Sequence, residues 1–160
     1  MNEKKIKKFK TQNSTFKIIL LSPSKEIFNQ KLAHSLSDIQ NLIFVCWRYE
    51  GIDYRFEQYL TKKYKKNFSK ISIWQFITLG WELPAMTMIE SIVRLIPWVI
   101  QKPASRQDES YSIENKMKNL EYPQYTRPEK VYNMQVPEIL LSGYSKKIEE
   151  RKKKNSKHLK

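Results

Sequence analysis

Two short apolar runs, Phe16-Lys17-Ile18-Ile19-Leu20-Leu21 and Leu42-Ile43-Phe44-Val45-Cys46, flank a segment with helical spacing. That arrangement constrains the fold more than any other feature of the chain. The first run ends at Ser22-Pro23, as a buried strand entering a loop does. Between the runs, Ile27, Phe28, Leu32 and Leu36 recur at the interval of one helix face. Strand, short helix, strand is a βαβ unit, which calls for a parallel sheet with a right-handed crossover.

Beyond this unit, the charged stretch from Asp53 to Asn67 is expected to be helical at its start, and Ile71 to Thr78 is a third β-prone segment. Pro84 suits a first helical position, with Glu82 beside the positive end of that helix. Met86, Ile89, Val93 and Ile96 then predict one apolar face, closed by Pro97. Residues 101–119 are polar and without period, which predicts a mobile linker. Glu121 to Pro128 reads as an irregular, proline-bracketed segment; Pro137 opens a short helix that Gly143 caps, and a lysine-rich helix or frayed tail runs to Lys160. No repeat is visible, and 160 residues suit one domain with a small appendage.

An apolar fraction of 40% supports a real core. One cysteine, Cys46, excludes an internal disulfide framework, and His34 and His158 alone cannot build a Cys/His zinc cluster. Cys46 is expected to be a small buried apolar residue rather than a nucleophile. The longest apolar stretch, Leu83 to Ile100, carries Glu90, Arg94 and two prolines, too short and too charged to span a bilayer. With no signal-peptide pattern at the start, a cytoplasmic protein without a membrane partner is expected. The net charge of +14, from 30 Lys+Arg against 16 Asp+Glu, fits a polyanion partner, most simply RNA. Solvated lysine runs of an AT-rich coding sequence fit the clusters at Lys4–Lys10, Lys62–Lys66 and Lys146–Lys160 equally well, so charge alone leaves both readings open.

Ser22-Pro23, Trp47 to Gly51 and Ile73 to Trp81 each follow the carboxyl end of an expected strand, where open α/β sheets bind ligands. Six segments in register carry a resemblance here: Leu21-Ser22-Pro23; Arg48-Tyr49-Glu50-Gly51-Ile52-Asp53; Glu82-Leu83-Pro84-Ala85-Met86; Arg94-Leu95-Ile96-Pro97; Tyr122-Pro123-Gln124-Tyr125-Thr126-Arg127-Pro128; and Val136-Pro137-Glu138-Ile139-Leu140-Leu141-Ser142-Gly143. Across residues 16 to 150 the chain resembles the bacterial tRNA (guanine-N1)-methyltransferases of the SPOUT class.

The resemblance implies an α/β fold with a trefoil-knotted parallel sheet and a partial C-terminal helical segment. It divides the chain into a knotted catalytic domain at 14–104, a mobile linker at 105–122 and a partial tRNA-binding domain with a basic tail at 123–160. It further implies a homodimer with the site across the interface, and S-adenosylmethionine as methyl donor to N1 of the guanosine at tRNA position 37. Whether Mg2+ takes part stays open. The residues matching the family's cofactor site are Leu21, Ser22, Pro23, Trp47, Ile73, Trp74, Gln75, Phe76, Ile77, Thr78, Gly80, Trp81 and Pro84. For Ile73 and Ile77 core packing is the competing explanation.

Guanine N1 carries a proton that must leave as the methyl arrives, so a carboxylate base is needed within hydrogen-bond reach. Negative charge grows on O6 meanwhile and calls for a fixed cation. By resemblance Arg94 is the cation, and the base falls on Glu109, where the family more often has aspartate, with Asp108 beside it. The competing explanations are an Arg94–Glu90 ion pair at a helix end and a solvated linker pair for Asp108 and Glu109. Glu50 matches a carboxylate near the target guanine, and Arg48 has a structural alternative.

Two departures stand out. Family members begin with a further segment, including a glycine-rich loop and a first strand, and end with a longer helical domain; on this reading about the first third and part of the C-terminal domain are absent. Tyr144-Ser145 also replaces the family's polar pair after Gly143. Second, the family has glycine where this chain has Trp47, Trp74, Trp81 and Trp98. Glycine there permits φ > 0 and close backbone approach to a ligand, whereas tryptophan fills the space. One explanation covers all four positions: the source reads UGA as glycine and the chain was translated as though UGA meant tryptophan. The low glycine count of 3 and the lysine excess agree with it. The alternative function is an inactive SPOUT fragment that retains RNA binding and dimerisation. A Rossmann-type methyltransferase fits poorly, because its glycine-rich first loop is missing.

Overall fold

The computed structural model describes residues 15–24, 26–100, 109–112 and 119–158. The chain divides into two units, Met1–Gln101 and Lys102–Lys160.

The first unit is built on three parallel strands, β1 (Phe16–Leu21), β2 (Asn41–Val45) and β3 (Phe68–Ile71), in the order β2-β1-β3. Ile18 pairs with Ile43 on one side and Phe68 on the other, and the register runs on to Leu20↔Val45 and Leu21↔Ile71. The central strand is covered on both faces, which is why β1 is apolar from Ile18 to Leu21 rather than alternating, with Lys17 the one polar residue near its start. Ile19 and Leu21 enter a core with Ala33 and Leu36 of α1 (Gln30–Ser37) and Ala85, Met88 and Ile92 of α3 (Glu82–Val93). Phe16 and Ile18 face the other way, onto Leu60 and Tyr64 of α2 (Tyr54–Tyr64). Ile18, Ile19, Leu20 and Leu21 are all fully buried. At about 1.5–3 kcal/mol each, these four side chains are a large part of what holds the sheet.

The helix starts are written in the side chains. Asn29 accepts from Leu32 N at 3.0 Å to cap α1, and Asp53 accepts from Arg55 N at 2.8 Å to cap α2. α1 therefore begins three residues after Ile27, which instead forms an isolated parallel bridge with Ser72. α2 is not confined to the start of its charged stretch: it runs to Tyr64 and continues as a 3-10 turn over Lys65–Asn67.

Further sequence expectations are corrected in this unit. The third strand is Phe68–Ile71, not the segment to Thr78. Its Lys70 looks wrong for a strand but is paired at 2.9 Å with Glu57 of α2. After Ile71, the Ser72 hydroxyl bonds the Trp74 carbonyl at 2.6 Å and turns the chain out of the sheet. Pro84 stands third in α3 rather than first; proline is tolerated there because the first-turn N–H groups have no helical acceptor. The buried face of α3 is Pro84, Ala85, Met88 and Ile92, whereas Met86, Ile89, Val93 and Ile96 are 63%, 42%, 39% and 39% exposed. The expected apolar face exists, but it is the outward one.

The second unit is made of small pieces. β4 (Asn119–Leu120) pairs antiparallel with β7 (Lys157–His158), and β5 (Lys130–Val131) with β6 (Met134–Gln135). Tyr132 and Asn133 turn the β5–β6 hairpin at φ 49° and 62°, the left-handed pair of a type I′ turn. As expected, Pro137 precedes a short helix, α4 (Glu138–Leu141), and Gly143 at φ 72° follows it. The lysine-rich helix is α5 (Ser145–Asn155). Most of the expected linker lies outside the described residues.

Candidate active site

The order β2-β1-β3 places a topological switch point between β1 and β3, and the loops after all three strands gather at their carboxyl ends. Leu21 and Ser22 are buried there, and Ser22 N donates to Ile71 O at 3.2 Å. Pro23 is exposed. The loop after β2 and the loop before α3 are stapled together at three adjacent points. Arg48 and Gly80 form an antiparallel bridge. Arg48 Nε lies 2.7 Å from Glu82 Oε1. The Trp47 and Trp81 rings meet at 5.1 Å between centroids, tilted by 38°.

Trp47 also donates its indole N–H to the Leu21 carbonyl at 2.7 Å, and Trp81 is 3% exposed. A Cβ on Gly80 would run into the Glu82 carboxylate, so the ion pair closes tightly over bare backbone. The Arg48 hydrogen bond holds the Glu82 carboxyl below its usual range, and Glu82 raises the Arg48 guanidinium in return. The structural alternative for Arg48 is thus realised as a loop clamp.

The 73–78 segment is mixed. Ile73 packs against the α1/α3 core, and Thr78 Oγ1 donates to Gly80 O at 2.8 Å. Trp74, Gln75, Phe76 and Ile77 are exposed on the loop, and Pro84 is fully buried in α3. Glu50 is exposed in a tight turn between Tyr49 at φ 59° and Gly51 at φ 121°. Cys46 corrects its expectation: it is exposed, since β2 ends at Val45. Its partial burial, followed by the nearby Glu82 carboxylate, pushes the thiol pKa up, against a role as a thiolate nucleophile.

Arg94 is the C-cap of α3 and half-buried. Glu109 is half-buried in the second unit, and Asp108 lies outside the described residues. Of the residues matched to cofactor binding, Leu21, Ser22, Trp47, Gly80 and Trp81 are brought together at the strand ends of the first unit, while Arg94 and Glu109 belong to different units. Trp98 is 94% exposed with φ 72°, the left-handed region that glycine adopts freely.

Sequence reasoning missed two features. The Arg48–Glu82 clamp joins residues 34 apart, and no local pattern announces it. In the second unit, Tyr122, Tyr125, Arg127, Glu129, Leu140 and Lys152 help line an open cleft of about 660 Å³. Lys152 Nζ sits 5.1 Å from the Tyr122 ring centroid, and hydrogen bonding by Tyr122 raises the Lys152 pKa. The proline-bracketed tyrosines and the lysine run were both visible in the sequence, but not their meeting.

A parallel sheet with helices on both faces, and with loops converging at the carboxyl ends of its strands, defines an α/β protein. The family described as tRNA (Guanine-1)-methyltransferase TrmD matches residues 1–159. The chain belongs to that family. A tRNA (guanine-N(1)-)-methyltransferase of Dictyoglomus turgidum is 40% identical over 153 residues, covering 96% of this chain and 57% of the relative. One from Carboxydothermus hydrogenoformans is 43% identical over 145 residues (91% and 53%), and one from Streptococcus uberis 46% over 132 (82% and 51%). The chain spans about half the length of the curated relatives it matches. Among the described residues, no helix is long and apolar enough to cross a membrane, and no group of three or more His, Cys, Asp or Glu could hold a metal ion.

Proposed function

We propose that this chain carries the family's chemistry, methylation of N1 of the guanosine at tRNA position 37 with S-adenosylmethionine as donor. The observation that carries the reading is the convergence of the β1, β2 and β3 loops on one edge, in a chain matched along nearly its whole length by one methyltransferase family. The proposed cofactor edge comprises Leu21, Ser22 and Pro23, Trp47, Ile73 to Thr78, Gly80, Trp81 and Pro84.

Toward the guanine, the chain's own groups divide the work. The N1 proton passes to a carboxylate, Glu109 or its neighbour Asp108, and the Arg94 guanidinium opposes the negative charge that grows on O6. Glu50, exposed beside the β2 loop, holds the base edge. The lysines of α5, with Arg151 and the Tyr122–Lys152 cleft, supply cations for tRNA phosphates and rings for its bases. We assign a homodimer as well. The outward stripe of Met86, Ile89, Val93 and Ile96 supports it, since such an apolar face on a helix calls for a partner. The trefoil knot, the domain division at 14–104, 105–122 and 123–160, and a cytoplasmic setting complete the reading.

As written, the edge does not fit S-adenosylmethionine: two indoles stand in it, one of them on the Leu21 carbonyl. This observation favours a second reading, a fragment that keeps RNA binding and dimerisation without catalysis. The discriminating experiment measures 1-methylguanosine by nucleoside mass spectrometry in tRNA bearing guanosine at position 37. The chain as written is compared with one carrying glycine at 47, 74, 81 and 98. Product from the glycine chain supports the enzyme. tRNA binding without product from either supports the fragment.

A further inference from the structure

Trp47 and Trp81 come from different loops, one following β2 and the other preceding α3, yet they form a single unit. Trp81 is closed off from solvent and joins the α1/α3 core, with Trp47 packed against that core from the loop side. Arg48 and Glu82, the next residues on each loop, lock the pair in register. The contact that gives it meaning is the one to Leu21. The carbonyl at the end of a central parallel strand faces the edge where open α/β sheets bind ligands, and here it accepts an indole N–H at 2.7 Å. An indole is a flat bicycle with one N–H donor, and adenine is a flat bicycle of similar size whose exocyclic amino group can donate to the same carbonyl. The second indole lies against the first at a distance suited to aromatic packing.

We propose that Trp47 and Trp81 form a built-in aromatic plug in the cofactor cleft, filling the space and the backbone acceptor that an adenosine-bearing cofactor would use. With both indoles in place the chain excludes such a cofactor; shortening them uncovers a cleft whose walls are Leu21, Ile73 and the Arg48–Glu82 clamp. The inference rests on the reading that the cofactor binds at this edge. The plug needs no change of fold, because the two loops are also held by the Arg48↔Gly80 bridge and by the ion pair.

The test is titration with S-adenosylhomocysteine by calorimetry on three proteins: the chain as written, the Trp47→Gly/Trp81→Gly double variant, and Trp98→Ala. Trp98 is exposed and outside the pair. The chain as written and Trp98→Ala are expected to show no saturable binding at millimolar ligand. The double variant is expected to gain at least about a hundredfold in affinity. Tight binding by the chain as written overturns the plug while leaving the placement of the cofactor edge intact. A double variant that is folded by circular dichroism and binds no better than the parent also overturns it. If the double variant does not fold, Trp47→Ala alone decides: a gain supports the plug and no gain sinks it. A double variant that binds the ligand but methylates no tRNA sinks the tRNA reading and leaves the plug standing.

Discussion

The two units of this chain are held together in different ways. In the first, four consecutive residues of β1 are fully buried, helices cover both faces of the sheet, and the loops at the strand ends are pinned by an ion pair, a bridge and two tilted, packed rings. In the second, every strand is two residues long and, among the described residues, no apolar side chain is buried. Its order comes from local devices, the Tyr132-Asn133 turn, the Pro137 start and Gly143 after α4, together with one longer-range bond, Ser156 Oγ donating to Leu120 O at 2.7 Å. A packed sheet holds the loops at its strand ends in fixed positions. A unit of turns and short ladders suits adaptable contact with a polyanion.

Mutations sharpen that contrast. The largest effect is expected at the plug. Trp81→Gly empties a buried site in the first unit and should cost about 3–5 kcal/mol in urea unfolding; saturating S-adenosylhomocysteine should restore part of the loss, because a ligand that binds only the folded state stabilises it. Ile19→Ala, in the same core but under the sheet, should cost about 2–5 kcal/mol with no recovery by ligand. Leu140→Ala in the cleft of the second unit should cost under about 1 kcal/mol, because its side chain is only half-buried. Equal losses at Ile19 and Leu140 would contradict the division.

Trp98 gives a change of opposite sign. Its φ of 72° is a strain that glycine does not carry, so Trp98→Gly should raise stability by about 1 kcal/mol in the same unfolding measurement. The smallest effect is electrostatic. Glu82 and Asp53 have folded pKa values held below the ordinary carboxylate range by Arg48 and Arg55. Their contribution is therefore present above the unfolded pKa, about 4, and is lost as pH falls through the lower folded values. Glu82→Gln should flatten the acid limb of the stability profile slightly, and no more, because the pair is solvent-exposed.

How much of this could be read in the sequence follows from physics rather than luck. β1 and β2 were legible because strands of a parallel sheet covered by helices are rich in apolar residues, even where, as with β2, the strand lies at the edge. β3 was not, because its Lys70 is paired with Glu57 of α2, while the β-branched and aromatic residues of 73–77 lie in a loop. The helix at α3 was legible and its orientation was not: two apolar stripes share that helix, and periodicity cannot say which one meets the sheet. At the site, the loops that gather at the strand ends were legible from their position after apolar runs. The Arg48–Glu82 clamp and the indole on the Leu21 carbonyl are products of the fold, joining residues 34 and 26 apart.

The tryptophans bear on the genetic reading as well. Trp98, alone of the four, has a left-handed φ, and Trp47 and Trp81 fill the proposed cofactor cleft. Peptide mass spectra of the protein from its source separate two accounts. Glycine at 47, 74, 81 and 98 supports recoding and confines the plug to the tryptophan-bearing chain. Tryptophan there, or UGG codons, ends the recoding explanation and leaves the plug as a property of the source protein.

The central claim, that this fold carries guanosine-N1 methylation, is tested most directly by nucleoside mass spectrometry of tRNA incubated with S-adenosylmethionine and the four-glycine chain. The account predicts 1-methylguanosine in tRNA with guanosine at position 37, none with adenosine there, and a loss of about 10²–10³-fold with Arg94→Ala. A folded four-glycine chain that binds S-adenosylhomocysteine yet forms no 1-methylguanosine would contradict it.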